Sequence, residues 1–358
     1  MARLLILAIN PGSTSTKVAV YERTKQLFQK NISHSAEELE PYAKITDQFQ
    51  FRKGIILQTL EQAGIILQDI GIIVGRGGLL KPVPSGIYEV NERMKEDLRD
   101  SPLGEHASNL GGLIADDLAS EIKEAKAYIA DPVVVDELDD VARYSGHPLL
   151  PRKSIFHALN QKAIARHHAA VKNKKYEDMN VIVVHMGGGI TVGAHRNGRV
   201  VDVNNGLDGD GPFSPERSGT LPVGDLAKLC FSNKYTLAQV KKMIKGKGGY
   251  MAYLGTNNAQ DISEKAKNGD PEAQRIQDAM VYQICKEIGA MATVLQGKTE
   301  GILLTGGIAH NQHIVDQIIQ RTDYIANVYV YPGEDEMQAL ANNGLMLSKG
   351  FLDVKEYK

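Results

Sequence analysis

Two distant segments of this 358-residue chain carry the same pattern, and that repetition constrains the fold more than any other feature. Near the start, the apolar run Leu4–Ala8 passes through the turn-rich PGSTST into a second apolar stretch at Val18–Val20. In the middle, Val181–Val184 runs into HMGGGITVGAHRNGRVVDV, where Thr191–Ala194 and Arg199–Val203 flank Asn197-Gly198. That dipeptide suits a two-residue hairpin because both residues tolerate positive φ. An apolar strand, a tight polar or glycine turn and a second strand, given twice, read as an internal duplication of one α/β unit. Length agrees, since single cores stop growing near ~250–300 residues.

The remaining periodicities fill in two α/β domains. Ile55–Ala63 and Ala107–Ala125 carry helical spacing, and Ile70–Val74 is a strand. Tyr128–Val135 is a strand candidate interrupted by Asp131-Pro132, and a helix taking in Ile155, Leu159 and Ala163 follows Pro151. The long helix Ile276–Leu295 precedes Ile302–Thr305, a glycine turn, a helical stretch, the strand Val328–Tyr331 and a last helix at Met337–Leu347. That alternation predicts a largely parallel sheet in the second half. The boundary is set near 150: residues 1–150 form the first domain, 151–336 the second, and 337–358 return to the first.

Composition excludes several classes. Forty-one basic residues against forty-three acidic ones leave a net charge of −2, so there is no basic field for nucleic acid or an anionic membrane. No apolar run approaches the ~18 residues needed to span a bilayer, and the opening MARLLILAIN reads as a strand, not a signal peptide. Two cysteines, Cys230 and Cys285, make no disulfide framework; they read as small core residues in a reducing, cytoplasmic setting. Glycine, at 35 residues, is in excess of the usual ~7%, which raises the question of where bare backbone is needed.

The glycines and small polar residues gather at a few turns. Asn10–Lys17 packs an amide, hydroxyls and Gly12 into a strand–strand turn whose N–H groups can wrap phosphate oxygens, although no Walker loop is present. His185-Met186-Gly187-Gly188-Gly189 places a donor beside bare backbone. Arg76 and Arg217 each sit among turn residues as candidate anion clamps, although Arg217 taken alone reads first as a solvated surface arginine. Asp131 falls inside an apolar stretch, where a carboxylate is costly unless paired or on a metal. Gly306-Gly307-Ile308 makes a strand-to-helix turn against which a flat ring could lie. Asp335 and Glu336 open the last helix, where acids complement the dipole. His167 and His168, neighbours on a helix, do not converge on one ion and read as a solvated face.

Taken in order, INPGSTSTK, VGRGG, GEHASNLG, DPVVVDE, RKSIFHALNQKA, HMGGGITV, VDVNNGLDGDGPFSPERSGTLP, LTGGIAH and PGEDE resemble the acetate kinase family of the acetate and sugar kinase, actin and heat-shock ATPase superfamily. The likeness spans essentially the whole chain. It implies an α/β fold of two related ribonuclease H-like (actin-like ATPase) domains with a cleft between them. It implies ATP and ADP as substrates, Mg2+, a short-chain carboxylate as acceptor, and a homodimer or higher homo-oligomer. FHALNQKA and DGDGPFSPERSG resemble the butyrate branch, so butyrate is the expected acid; isobutyrate, propionate and acetate are the alternatives.

Site roles implied by the resemblance fall on named positions. Asn10, Ser13 and Lys17 match the first phosphate turn, with Asn10 on the metal side. Arg76 and Arg217 match the arginines holding the acid and the transferring phosphoryl group, and His106 matches a substrate-side histidine. Asp131 matches the aspartate near metal and nucleophile. His185 with Gly187, Gly188 and Gly189 matches the second phosphate hairpin. Gly306, Gly307 and Ile308 match the adenosine turn, with Asn258 replacing part of the acetate-type adenosine loop. Glu336 matches the magnesium-side acid, or Asp335 if the register slips by one. Gln161 stands where acetate kinases carry a histidine. A reading of another class, a non-catalytic nucleotide-binding module, would lack the two substrate-side arginines.

Overall fold

The computed structural model describes residues 4–102 and 104–358, so the first three residues of the expected opening strand lie outside the described residues. By packing the chain divides into two units, one running to Val135 and resuming at Asp335–Lys358, the other Asp136–Glu334.

In the first unit, β1 (Leu5–Pro11), β2 (Ser15–Glu22) and β3 (Lys25–Ser33) form an antiparallel meander. β4 (Ile70–Arg76) lies parallel to β1, and β5 (Ile87–Glu89) pairs antiparallel with β6 (Lys126–Ala130), itself parallel to β4. The two-residue strand Val354–Lys355 closes that edge. All seven residues of β1 are buried, which is why it reads as a continuous apolar run and not as an alternation. The last helix, Glu336–Ser348, packs on β1 and β4 so closely that a Cβ at Gly344 would stand 3.1 Å from methyls of Ile6 and Val74.

The second unit repeats the plan. β7 (Asn180–Met186), β8 (Ile190–Arg196) and β9 (Arg199–Val203) form a meander, β10 (Gly301–Gly306) lies parallel to β7, and β11 (Val328–Pro332) lies parallel to β10. The order β9-β8-β7-β10-β11 matches β3-β2-β1-β4-β6 strand for strand and direction for direction. Asn197 and Gly198, with φ of +50° and +78°, make the β8–β9 hairpin. The helix Pro271–Val294 covers this sheet with Met280, Ile284, Ile288 and Met291.

Several expectations change on contact with packing. Residues 136–150, assigned to the first domain on sequence, hydrogen-bond within the second unit: Asp139 N–H donates to Val201 O at 2.9 Å, and Lys162 meets Glu137 at 2.5 Å. Tyr128–Val135 is a strand only to Ala130, because Asp131 turns the chain with φ +37°. The helix after Pro151 begins at Ala158, leaving Ile155 outside it. Cys230 is exposed, not a core residue. His168 is not solvated: it is 1% exposed and its Nδ1 lies 2.7 Å from the Tyr331 hydroxyl.

Candidate functional site

In the first unit, three expected site residues from three elements meet. Asn10 is the next-to-last residue of β1 and is 5% exposed; its side-chain amide donates to the Glu336 carboxylate. Arg76 ends β4 and donates to the other Glu336 oxygen at 2.5 Å. Glu336 begins the last helix and is buried, whereas the exposed Asp335 serves as its cap, accepting from Gln338 N–H at 2.9 Å. The helix dipole favours both acids, but only Glu336 is drawn onto the sheet.

The glycines beside Arg76 have a packing cause. A Cβ at Gly75 would stand 2.3 Å from Gly111 O, one at Gly77 2.5 Å from Pro132, and one at Gly78 2.4 Å from Asn109. They let the helix Asn109–Ser120 and the Asp131–Pro132 corner approach β4, so VGRGG is bare for packing, not for a ligand. His106 precedes that helix, half-buried, with Nδ1 2.7 Å from Ser108 Oγ. Asp131 is 1% exposed; its Oδ1 accepts from the Ser85 hydroxyl at 2.6 Å and from Gly86 N–H at 2.8 Å. Those bonds offset the cost of burying a carboxylate, and they hold it on a backbone strained by positive φ. Ser13 is exposed at the β1–β2 turn, and the half-buried Lys17 sits opposite Asn10 in the ladder.

In the second unit, β7 delivers His185 to the sheet's end. The ring is buried, its Nε2 lies 3.2 Å from Glu334, and its Nδ1 has no hydrogen-bond partner among the described residues. Such an orphaned nitrogen calls for an explanation, and a ligand at this edge supplies one. Gly187 and Gly189 are again explained by neighbours: a Cβ would stand 2.5 Å from Glu334 Oε1 at the first and 1.9 Å from the Arg217 guanidinium at the second. Arg217 is half-buried across Gly189 and donates to Gly206 O at 2.5 Å, so it is not a solvated surface arginine.

A cavity of about 1170 Å³ opens beside these turns, large enough for a nucleotide. Gly187, Gly188, Asn258, Gly307, Ile308 and Glu334 border it. Residues picked from three separated segments thus converge at the C-terminal ends of parallel β7 and β10, where α/β sheets usually bind ligands. Asn258 caps the helix Ala259–Lys267, accepting from Gln260 N–H at 3.1 Å. Gly306 does not border the cavity; its φ of +92° and a Cβ position 2.3 Å from Met186 O require glycine for the turn itself. Gly307 has open space where a Cβ would stand.

Sequence reasoning missed His157. Its ring stacks on His185, centroids 4.0 Å apart, and its Nδ1 lies 2.9 Å from Thr191 Oγ1. Gln161 reaches the same threonine, its amide nitrogen 2.8 Å from Oγ1 and 3.1 Å from the carbonyl. The available signal was the i, i+4 spacing of His157 and Gln161, which puts both on one side of the helix start.

Paired sheets of one strand order define a duplicated α/β fold. Residues 142–343 match the acetokinase family, and the chain belongs to it. It is 56% identical over 358 residues to butyrate kinase 1 of Clostridium acetobutylicum, covering 100% of both chains. It is 55% identical to butyrate kinase 2 of the same organism, covering 99% of each. In three dimensions it resembles the acetate kinase of Porphyromonas gingivalis with a TM-score of 0.77 at 18% identity, covering 96% of this chain and 99% of that one.

Proposed function

We propose that this chain is a carboxylate kinase that transfers the γ-phosphoryl group of ATP to butyrate, giving ADP and butyryl phosphate. The observation that carries the choice of acid is full-length similarity to the two clostridial butyrate kinases. A butyrate oxygen attacks the γ-phosphorus, and the bond to the β–γ bridging oxygen breaks. A carboxylic acid with a pKa near ~4 is already ionised at neutral pH, so no general base is needed. What the protein must supply is positioning and neutralisation of two anions. Arg76 and Arg217 present guanidinium forks suited to carboxylate and phosphoryl oxygens, each already oriented by a fixed acceptor. His185, with a buried nitrogen unpaired among the described residues, can bond a phosphate oxygen beside Gly187 and Gly188. The large cavity would take the adenosine. His106 is assigned to the acid.

Magnesium is part of the proposal, and the donor chemistry fits it. Asn10, Asp131 and Glu336 offer hard oxygens, the kind this ion takes. Among the described residues no three His, Cys, Asp or Glu side chains form a metal cage. When bound, the ion supplies positive charge to the phosphate oxygens. The same reading carries a cytoplasmic location and a homodimer or larger homo-oligomer, and among the described residues no helix is long and apolar enough to cross a membrane. The test is direct: incubate the protein with ATP, Mg2+, butyrate and hydroxylamine, and measure butyryl hydroxamate. ATP-dependent product is expected; its absence with every short acid sinks the kinase reading.

A further inference from the structure

Arg52 is 0% exposed, one of the largest fully buried side chains in the protein. It projects from the helix Phe49–Gln62 onto the inner side of the β1–β2 turn. Its Nη1 donates to Gly12 O at 2.9 Å, to Ser15 O at 2.9 Å and to Thr16 Oγ1 at 3.0 Å. Nη2 donates to Ser13 O at 3.2 Å, and Nε to Gln48 Oε1 at 3.0 Å. Every one of these acceptors is neutral, and among the described residues no carboxylate pairs with it. Burial pulls its pKa down, with no charged neighbour acting against that. A buried guanidinium without a counter-ion is an expensive way to brace a turn.

The peptide unit is planar and trans, so each N–H points opposite to the carbonyl before it. Gly12 and Ser13 carbonyls aimed at Arg52 therefore turn the N–H groups of Ser13 and Thr14 the other way. Both residues are exposed, and among the described residues neither N–H donates to an acceptor. Successive free N–H groups facing outward, with a fixed positive charge behind them, make an anion-binding concavity. We propose that Arg52 is a positioning residue that holds the 12–16 turn open as a nest for phosphoryl oxygens and supplies the charge behind it. This rests on the reading of Asn10–Lys17 as a phosphate turn.

The test uses the full chain with Arg52→Met and Arg52→Lys. Arg52→Met is expected to raise KM for ATP and, in reverse, for butyryl phosphate by about ten-fold or more, the scale of a lost charged hydrogen bond. KM for butyrate should stay within about two-fold, and Arg52→Lys, which keeps charge but loses the fork, should fall between. Unchanged KM values with only kcat or thermal stability reduced would mean a structural brace and overturn the proposal. A second measurement needs no variant: the amide resonances of Ser13 and Thr14 in the native protein should shift when AMP-PNP is added. Unmoved resonances under saturating AMP-PNP sink it as well. Because binding is read without turnover, a native protein that phosphorylates no acid would overturn the kinase reading and leave this one to be decided by the amides.

Discussion

His157 and His185 lie face to face, ring centroids 4.0 Å apart and planes inclined by 22°. A run of hydrogen bonds joins Tyr176, His195, Gln161 and Thr191 to the first ring. Thr191 O can only accept, so the Gln161 amide nitrogen must face it, and Gln161 Oε1 must face His195 Nε2 at 3.0 Å. Burial keeps His195 neutral, its pKa held well below the ordinary value, so Tyr176 donates to its Nδ1. Thr191 Oγ1 accepts from Gln161, and among the described residues the acceptor within reach of its own proton is His157 Nδ1. The expected tautomer of His157 in this network carries its proton on Nε2. Imidazole 15N spectra should show that tautomer at neutral pH, and Gln161→Leu should mix the two tautomers while lowering kcat about ten-fold. A single unchanged tautomer in the variant would mean that Gln161 and Thr191 do not set the His157 proton.

The two acids that open the last helix should separate cleanly. Glu336 binds Arg76 and Asn10, whereas Asp335 only caps the helix. Glu336→Gln is expected to cut kcat by ~10² or more, the cost of one misplaced charge-stabilising group, and to raise the Mg2+ concentration giving half-maximal rate. Asp335→Ala should cost about 1 kcal/mol of stability with kcat nearly intact. A magnesium titration and a melting curve for each variant decide it, and the reverse pattern would reassign the metal-side role.

Two glycines make a paired test. A methyl at Gly189 would stand 1.9 Å from the Arg217 guanidinium, so Gly189→Ala must push that group aside. Loss of about 10² in kcat is expected, comparable to Arg217→Ala. Gly307 has nothing within 4 Å of its would-be Cβ and borders the cavity. Gly307→Ala should therefore leave the melting temperature unchanged and raise KM for ATP. Kinetics with varied ATP distinguish the two.

How much of this was legible in the sequence depended on whether the cause was local. The doubled strand–turn–strand pattern is local, and the two sheets repeat one order. β3 went unseen because most of its residues are exposed or half-exposed and carry no apolar run. The glycine excess was visible, but its reason was not. Gly75, Gly77, Gly78 and Gly189 are bare because Gly111, Pro132, Asn109 and Arg217 crowd them, contacts made only by folding. Arg52 stands in no motif and His157 was read only as part of RKSIFHALNQKA; each acts on a turn or ring brought to it by the fold.

Glu287, on the helix Pro271–Val294, gives a pH dependence of stability. Burial, then the charges of Asp210 and Asp202, push its pKa from 4.5 up to about 7. A carboxyl raised on folding favours the folded state below its unfolded pKa and loses that favour as pH rises through the folded one. Stability should therefore fall between about 4.5 and about 7, and Glu287→Gln should recover up to about 3 kcal/mol at pH 8 while gaining little at pH 4.5. Denaturant midpoints at the two pH values check the sign.

The proposed acceptor is butyrate. Initial rates of acyl hydroxamate formation with acetate, propionate, butyrate, isobutyrate and valerate give kcat/KM for each. One methylene discriminates by only ~1–3 kcal/mol, so the series should peak at butyrate with neighbours lower by about ten-fold or more. A maximum at acetate would contradict the account.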